Sequence, residues 1–141
     1  GGAESNINGI ISSKVEDVDH LTEEGKKQVF GSTQTLKDKK IDLVIYSDFM
    51  RTKETAEIVK KELNISDENY LSDKRLWELC AGIFDGKTWR EYLDVREKED
   101  RYFYRPEGGE SHHDVKLRIA EFLYDIESKY KNKNILFITH E

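Results

Sequence analysis

Two short apolar runs constrain the fold of this chain more than any other feature. Residues 41–46 have the sequence IDLVIY and residues 135–139 the sequence ILFIT, and each run has the length of one buried strand. The segments between them place apolar residues at helical spacing. Because buried strands that alternate with helices usually pair in parallel, we predict an α/β fold with a mostly parallel sheet flanked by helices.

The helices are predicted from their capping residues and from apolar periodicity. Thr22 precedes two acidic residues, as is typical of an N-cap, and Ser111 precedes the segment with the clearest amphipathic pattern. The single proline, Pro106, lies in the clearest loop, RPEGG. We expect helices from Thr22 to about Leu36, from Ser47-Asp48 through Leu63, from Thr88 to about Lys98, and from Ser111 through Ile126.

The amino-acid composition limits the kinds of molecule that the chain is expected to bind. The chain has 141 residues, 23 Lys and Arg against 29 Asp and Glu, and a net charge of -6, so it has no general attraction for nucleic acid or anionic membranes. No apolar run is long enough to span a bilayer. The only cysteine, Cys80, excludes an intramolecular disulfide and fits a reducing compartment, so we expect a cytoplasmic protein.

Polar residues follow both predicted strands. Ser47 ends the first run, Arg51 lies in the first turn of the helix after it, and His140 follows the second run. Ligands of open parallel sheets bind outside the carboxyl ends of the strands, and a helix start with an arginine suits a phosphate. Two plainer alternatives stay open: His140 as an ordinary surface histidine, and Arg51 paired with Glu54 or Glu57 on its own helix.

Five segments resemble motifs of the histidine phosphatase superfamily, the phosphoglycerate mutase-like enzymes. SDFMRTKETAE is similar to its S-x-x-x-R-[AT]-x-x-T-A stretch, and HLTEEGKKQ resembles P-L-T-x-x-G-x-x-Q with His20 in place of proline. LWELCAGIFDGKTW, PEGGES and ILFITHE resemble the segments with the family's acidic residue, its P-x-G-E-S loop and its T-H-G strand. The five occur in the family's order along nearly the whole chain, which implies a phosphoglycerate mutase-like sheet.

The resemblance implies roles for three residues. Arg51 would clamp the phosphate, and His140 would bind it and stabilise charge in the transition state. Glu78 would be the general acid that protonates the leaving oxygen and then the base that activates water. From the residues alone, Glu78 could equally be a surface residue near Arg75. The resemblance implies a small phosphorylated metabolite as substrate, with no metal and no organic cofactor.

The beginning of the chain departs from the family pattern R-H-G-E-[ST]-x-x-N. Ser5 and Asn8 match the pattern and are implied phosphate- or substrate-binding residues, but Gly2 occupies the position of the nucleophilic histidine and Gly1 that of an arginine. At the other end Glu141 replaces the usual glycine. Since His20, His112 and His113 lie outside the nucleophile motif, we expect none of them to replace the missing histidine, and we expect the chain as written to be inactive.

We therefore expect residues 1–141 to form a single, incomplete histidine phosphatase-like domain that lacks the family's first strand and its C-terminal part. Truncation, with Gly1-Gly2 as a cloning remnant, is favoured over natural loss. Exposed sheet edges would then leave oligomerisation or domain swapping open. Three functions remain: a phosphomonoester hydrolase that uses a phosphohistidine, a non-catalytic module that binds phosphate or protein, and, third, a phosphoglycerate mutase.

Overall fold

A computed structural model describes residues 1–140, so Glu141 and the expectation attached to it lie outside the described residues. Short 3-10 turns connect several of the elements. The helices are α1 (Glu4–Asn8), α2 (Glu23–Gln34), α3 (Met50–Leu63), α4 (Trp89–Arg96) and α5 (His112–Lys129), and the strands are β1 (Leu43–Tyr46), β2 (Tyr70–Ser72) and β3 (Ile135–Ile138).

The three strands form one parallel sheet in the order β2-β1-β3. Strand β1 pairs directly with β3, with Leu43 opposite Ile135 and Tyr46 opposite Ile138. The predicted α/β class and the parallel pairing of the two apolar runs are thus confirmed. Strand β2 was not predicted, because its three residues are exposed or half-buried and polar residues flank them.

Alternate residues of β1 face opposite layers of helices, as the two-residue period of a strand requires. Val44 is fully buried against Val29 of α2 and Ala56 of α3. Leu43 and Ile45 pack on the other face in a cluster that includes Phe122 of α5. The sheet is therefore covered on both faces, which leaves the carboxyl ends of its strands as the open edge of this layer.

The capping residues position the helices largely as predicted. The side chains of Thr22, Thr88 and Ser111 each accept a backbone N–H from the first turn of the following helix. Helix α3 begins later than the expected Ser47-Asp48, because its N-cap is Phe49. Ser47 is instead fully buried just beyond β1, where its hydroxyl points to the site described below.

A glycine contact fixes the loop at residues 106–111 against the segment that follows Glu78. Gly82 has a positive φ of 54°, and a Cβ there would lie 2.1 Å from the carbonyl oxygen of Glu107. The Cys80 amide donates to Glu110, and the Glu110 amide donates to the Cys80 carbonyl. The loop is therefore braced directly behind the predicted acid.

No helix within residues 1–140 is both long enough and apolar enough to cross a bilayer.

Candidate active site

The site forms where β1 and β3 end. Ser47 follows β1, His140 follows β3 after Thr139, and Arg51 lies in the first turn of α3. Arg51, His140 and Glu78 line a cavity of about 490 Å³ that also includes Ser5, Ser12 and Trp89. Ser47 lies behind it, within hydrogen-bond distance of His140. The structure thus brings Arg51, Glu78 and His140 together at the sheet edge.

The Arg51 guanidinium is held from several sides. Its Nη2 donates to Glu78 Oε2 at 3.3 Å, to His140 Nδ1 at 3.0 Å and to the Ser12 carbonyl at 3.2 Å. Its Nη1 donates to Asp19 Oδ2 at 3.1 Å. The side chain is only 13% exposed, so the planar fork is fixed before any ligand arrives.

Within the described residues, Arg51 forms its ion pairs with Asp19 and Glu78, and not with Glu54 or Glu57 on its own helix. Glu54 accepts the Leu21 amide at 2.7 Å and contacts His20 Nδ1 at 2.6 Å. That contact raises the pKa of His20 above its usual value. Glu54 therefore connects the segment that precedes α2 with helix α3, and Arg51 faces the cavity.

His140 is a neutral histidine with an assignable tautomer. Since a guanidinium can only donate, Nδ1 must accept from Arg51, which puts the ring proton on Nε2, where it donates to Ser47 Oγ at 2.8 Å. Burial, followed by the charges of Arg51 and Arg118, lowers the pKa of His140 to about 3. The Glu78 carboxyl, 3.5 Å from Nδ1, would act in the opposite direction but is outweighed.

Glu78 has the environment of a proton carrier. Burial raises its pKa above the ordinary value, although the Leu79 amide and the Arg51 charge oppose this effect. Arg118 fixes the backbone by donating to the Glu78 carbonyl at 3.1 Å. The alternative of a surface residue near Arg75 does not describe this position, since Arg75 pairs with Asp73 and Asp125 and Glu78 faces the cavity.

The N-terminal segment contributes unequally to the site. Ser5 lines the cavity, and both its amide and its hydroxyl donate to Asp19 at 2.8 Å. Asn8 is exposed at the end of α1 and lines a neighbouring depression, not this cavity. Gly2 holds the segment in place through backbone bonds to Thr22 and Gln28.

Asp19 is the site residue that sequence reasoning missed. It is 6% exposed and bonds both Arg51 and Ser5, yet it lies in the polar run EDVDH, which has the pattern of an exposed loop. Only its burial distinguishes it from its neighbours, and burial is not visible in that pattern. Trp89, the first residue of α4, also lines the cavity and was not predicted as a site residue.

The chemistry of this arrangement is that of an anion site. A fixed guanidinium, a histidine and a protonatable carboxyl face one cavity at strand ends, which suits a tetrahedral oxyanion with a leaving group to be protonated. Within residues 1–140, no group of three or more His, Cys, Asp or Glu side chains is arranged to hold a metal ion.

The family follows from this fold and from the sequence. A family model for the histidine phosphatase superfamily (branch 1) matches residues 1–141, so the chain belongs to that superfamily. Fructose-2,6-bisphosphatase of Saccharomyces cerevisiae is 31% identical to the chain over 145 residues, an alignment that covers 93% of this chain and 29% of the yeast protein. Phosphoserine phosphatase 1 of Hydrogenobacter thermophilus is 27% identical, with 85% of this chain and 58% of that protein covered.

Solved structures agree on the fold. The α-ribazole phosphatase of Shigella flexneri superposes with a TM-score of 0.84 at 22% identity, covering 100% of this chain and 70% of that one. YhfR of Bacillus stearothermophilus gives a TM-score of 0.83 at 25% identity, with 99% and 70% covered. The chain thus spans less than a third of the yeast relative and about 70% of these two structures.

Proposed function

We propose that the cavity binds the phosphate of a small phosphomonoester in the manner of a histidine phosphatase. The observation that carries this proposal is the meeting of Arg51, Glu78 and His140 within 3.5 Å of one another at the strand ends. The two curated relatives described above are named as phosphatases, one of a sugar bisphosphate and one of phosphoserine. A small phosphorylated metabolite in the cytoplasm is the corresponding substrate class.

The role proposed for each residue follows from the chemistry of its side chain. Arg51 donates to phosphate oxygens from its fixed fork, and His140, once it takes up a proton, neutralises charge as the P–O bond breaks. Glu78, whose pKa is raised by burial, gives its proton to the departing oxygen and regains one when it activates water. Ser5 and the backbone around it close the cavity on the side of the N-terminal segment.

The covalent step needs a nucleophile, and this chain has Gly2 at the position that the family pattern assigns to it. We therefore propose that the chain as written binds a phosphomonoester without turning it over. This also supports the second candidate, a non-catalytic phosphate-binding module. A phosphoglycerate mutase is the third candidate. It is less favoured, because all but one of the similar proteins described above are named as phosphatases.

Binding is the first test. Inorganic phosphate should bind the chain, as measured by isothermal titration calorimetry, and Arg51→Ala should abolish that binding. Lys53→Ala is the matched control, because this residue carries the same charge on the exposed side of α3. Phosphate binding that is indifferent to Arg51→Ala would contradict the proposal.

Chemical rescue is the second test. Gly2 has no side chain to act as nucleophile, so free imidazole can be supplied in its place: it attacks phosphorus, releases p-nitrophenolate and forms N-phosphoimidazole that water then hydrolyses. We expect negligible release of p-nitrophenolate without imidazole and a saturable, Arg51-dependent release with it. Turnover by the unmodified chain without imidazole would show that another residue serves as the nucleophile.

A further inference from the structure

The carboxylate of Asp19 collects donors from two separate segments. Its Oδ1 accepts the Ser5 amide at 2.8 Å, and its Oδ2 accepts the Ser5 hydroxyl at 2.8 Å and Arg51 Nη1 at 3.1 Å. The side chain is 7% exposed. The amide and the guanidinium can only donate, and they bond different oxygens, so a carboxylate satisfies both where an asparagine cannot.

The same carboxylate sets the charge of the cavity. The charged and titratable groups nearest to Arg51 are Asp19, Glu78 and His140, and burial keeps His140 neutral and favours the protonated form of Glu78. Further out, Arg118 is paired with Glu110. The positive charge of Arg51 is therefore balanced by Asp19 before a ligand enters, and a doubly charged anion meets a cavity without net positive charge.

We propose that Asp19 is a specificity-determining residue of this site, which holds Arg51 and lowers the preference of the cavity for doubly charged over singly charged anions. The proposal rests on the phosphate-binding function proposed above and makes the monoanionic form of a phosphomonoester a more competitive ligand than Arg51 alone would allow. The reason is that the attraction of Arg51 and the repulsion of Asp19 both grow with ligand charge, so Asp19 offsets part of the advantage that Arg51 gives to a doubly charged anion.

The test compares two tetrahedral anions whose charge does not change near neutral pH, sulfate with two charges and perrhenate with one. Replacing Asp19 by Asn removes the repulsion, which at roughly 8 Å in a partly buried site corresponds to about 30-fold in affinity for each ligand charge. Asp19→Asn should therefore raise the ratio of sulfate affinity to perrhenate affinity by about 30-fold, because any loss from a less firmly held Arg51 is shared by the two anions. Glu16→Gln is the control, since it changes the net charge equally from an exposed position in the same loop, and should change neither affinity.

A purely structural role of Asp19 would change both affinities but not their ratio. If Asp19 only holds the site together, Asp19→Asn will weaken both anions alike and leave the ratio unchanged, which would overturn the proposal. Asp19→Ser, which retains one acceptor, should shift the ratio in the same direction, and thermal unfolding without anion checks that each variant is folded. Anion binding that persists in Arg51→Ala would instead contradict the proposed function itself.

Discussion

At the scale of single residues, the site depends on burial acting on ordinary groups. His140 and Glu78 are both taken out of water beside Arg51, and burial moves their pKa values in opposite directions, down for the histidine and up for the carboxyl. Burial thereby favours the uncharged form of each group in the free site. In that form Glu78 can donate a proton, and His140 can accept one as an anion binds.

The lowered pKa of His140 makes stability depend on pH. The unfolded chain binds a proton there below its ordinary value of 6.5, whereas the folded chain does not until about 3, so the free energy of unfolding falls as pH drops through this window. Between about pH 7 and about pH 4.5 the wild type should lose on the order of 2 kcal/mol more than His140→Gln, which cannot titrate. Urea unfolding at both pH values measures this, and equal losses in the two proteins would contradict it.

At the scale of elements, the sequence predicted what local rules control. The two apolar runs, the caps at Thr22, Thr88 and Ser111 and the loop at Pro106 all have local signals, and the structure confirms the strands and helices predicted from them. Strand β2 has no such signal, because it is held by pairing with β1 and not by its own pattern.

The N-cap of α5 should contribute measurably to the free energy of unfolding. Ser111 is 3% exposed, and its side chain and the Asp114 side chain form a reciprocal capping box. Ser111→Ala should lower the free energy of unfolding by about 1–2 kcal/mol, because it leaves a first-turn amide without its acceptor. Ser128→Ala, at an exposed site in the last turn, should change it by less than about 0.5 kcal/mol in the same denaturation experiment.

Replacing glycine by alanine should have opposite effects on stability at two positions. Gly82→Ala should destabilise the protein by more than about 2 kcal/mol, since the added methyl would collide with the Glu107 carbonyl at a positive φ. Gly31→Ala, within α2 and with no atom near the added Cβ, should stabilise it by about 0.5–1 kcal/mol. Similar effects of the two variants on the unfolding midpoint would contradict the close packing of the loop against the segment after Glu78.

At the scale of the whole molecule, the site is assembled from distant parts of the chain. Arg51 and Glu78 were predictable because motifs and strand ends indicate them, and His140 because it follows an apolar run. Asp19 and Ser12 contact Arg51 only because the loop before α2 folds over the sheet edge, and no local pattern records that contact. The path of this loop is therefore the feature that the sequence alone did not predict.

The nucleophile position and the proposed general acid can be tested in one pair of variants. A Cβ at Gly2 would approach no atom outside the adjacent residues closer than 3.8 Å, so Gly2→His introduces no clash at Cβ. Because the family pattern assigns the nucleophile to this position, we expect this variant to gain turnover of p-nitrophenyl phosphate. Adding Glu78→Gln should then slow an alkyl phosphate, whose leaving group needs a proton, by about 10²–10⁴-fold. The nitrophenyl ester should slow less, because nitrophenolate departs without a proton. The measurement is kcat for both substrates with Gly2→His and with the double variant, and equal losses on the two substrates would mean that Glu78 is not the general acid.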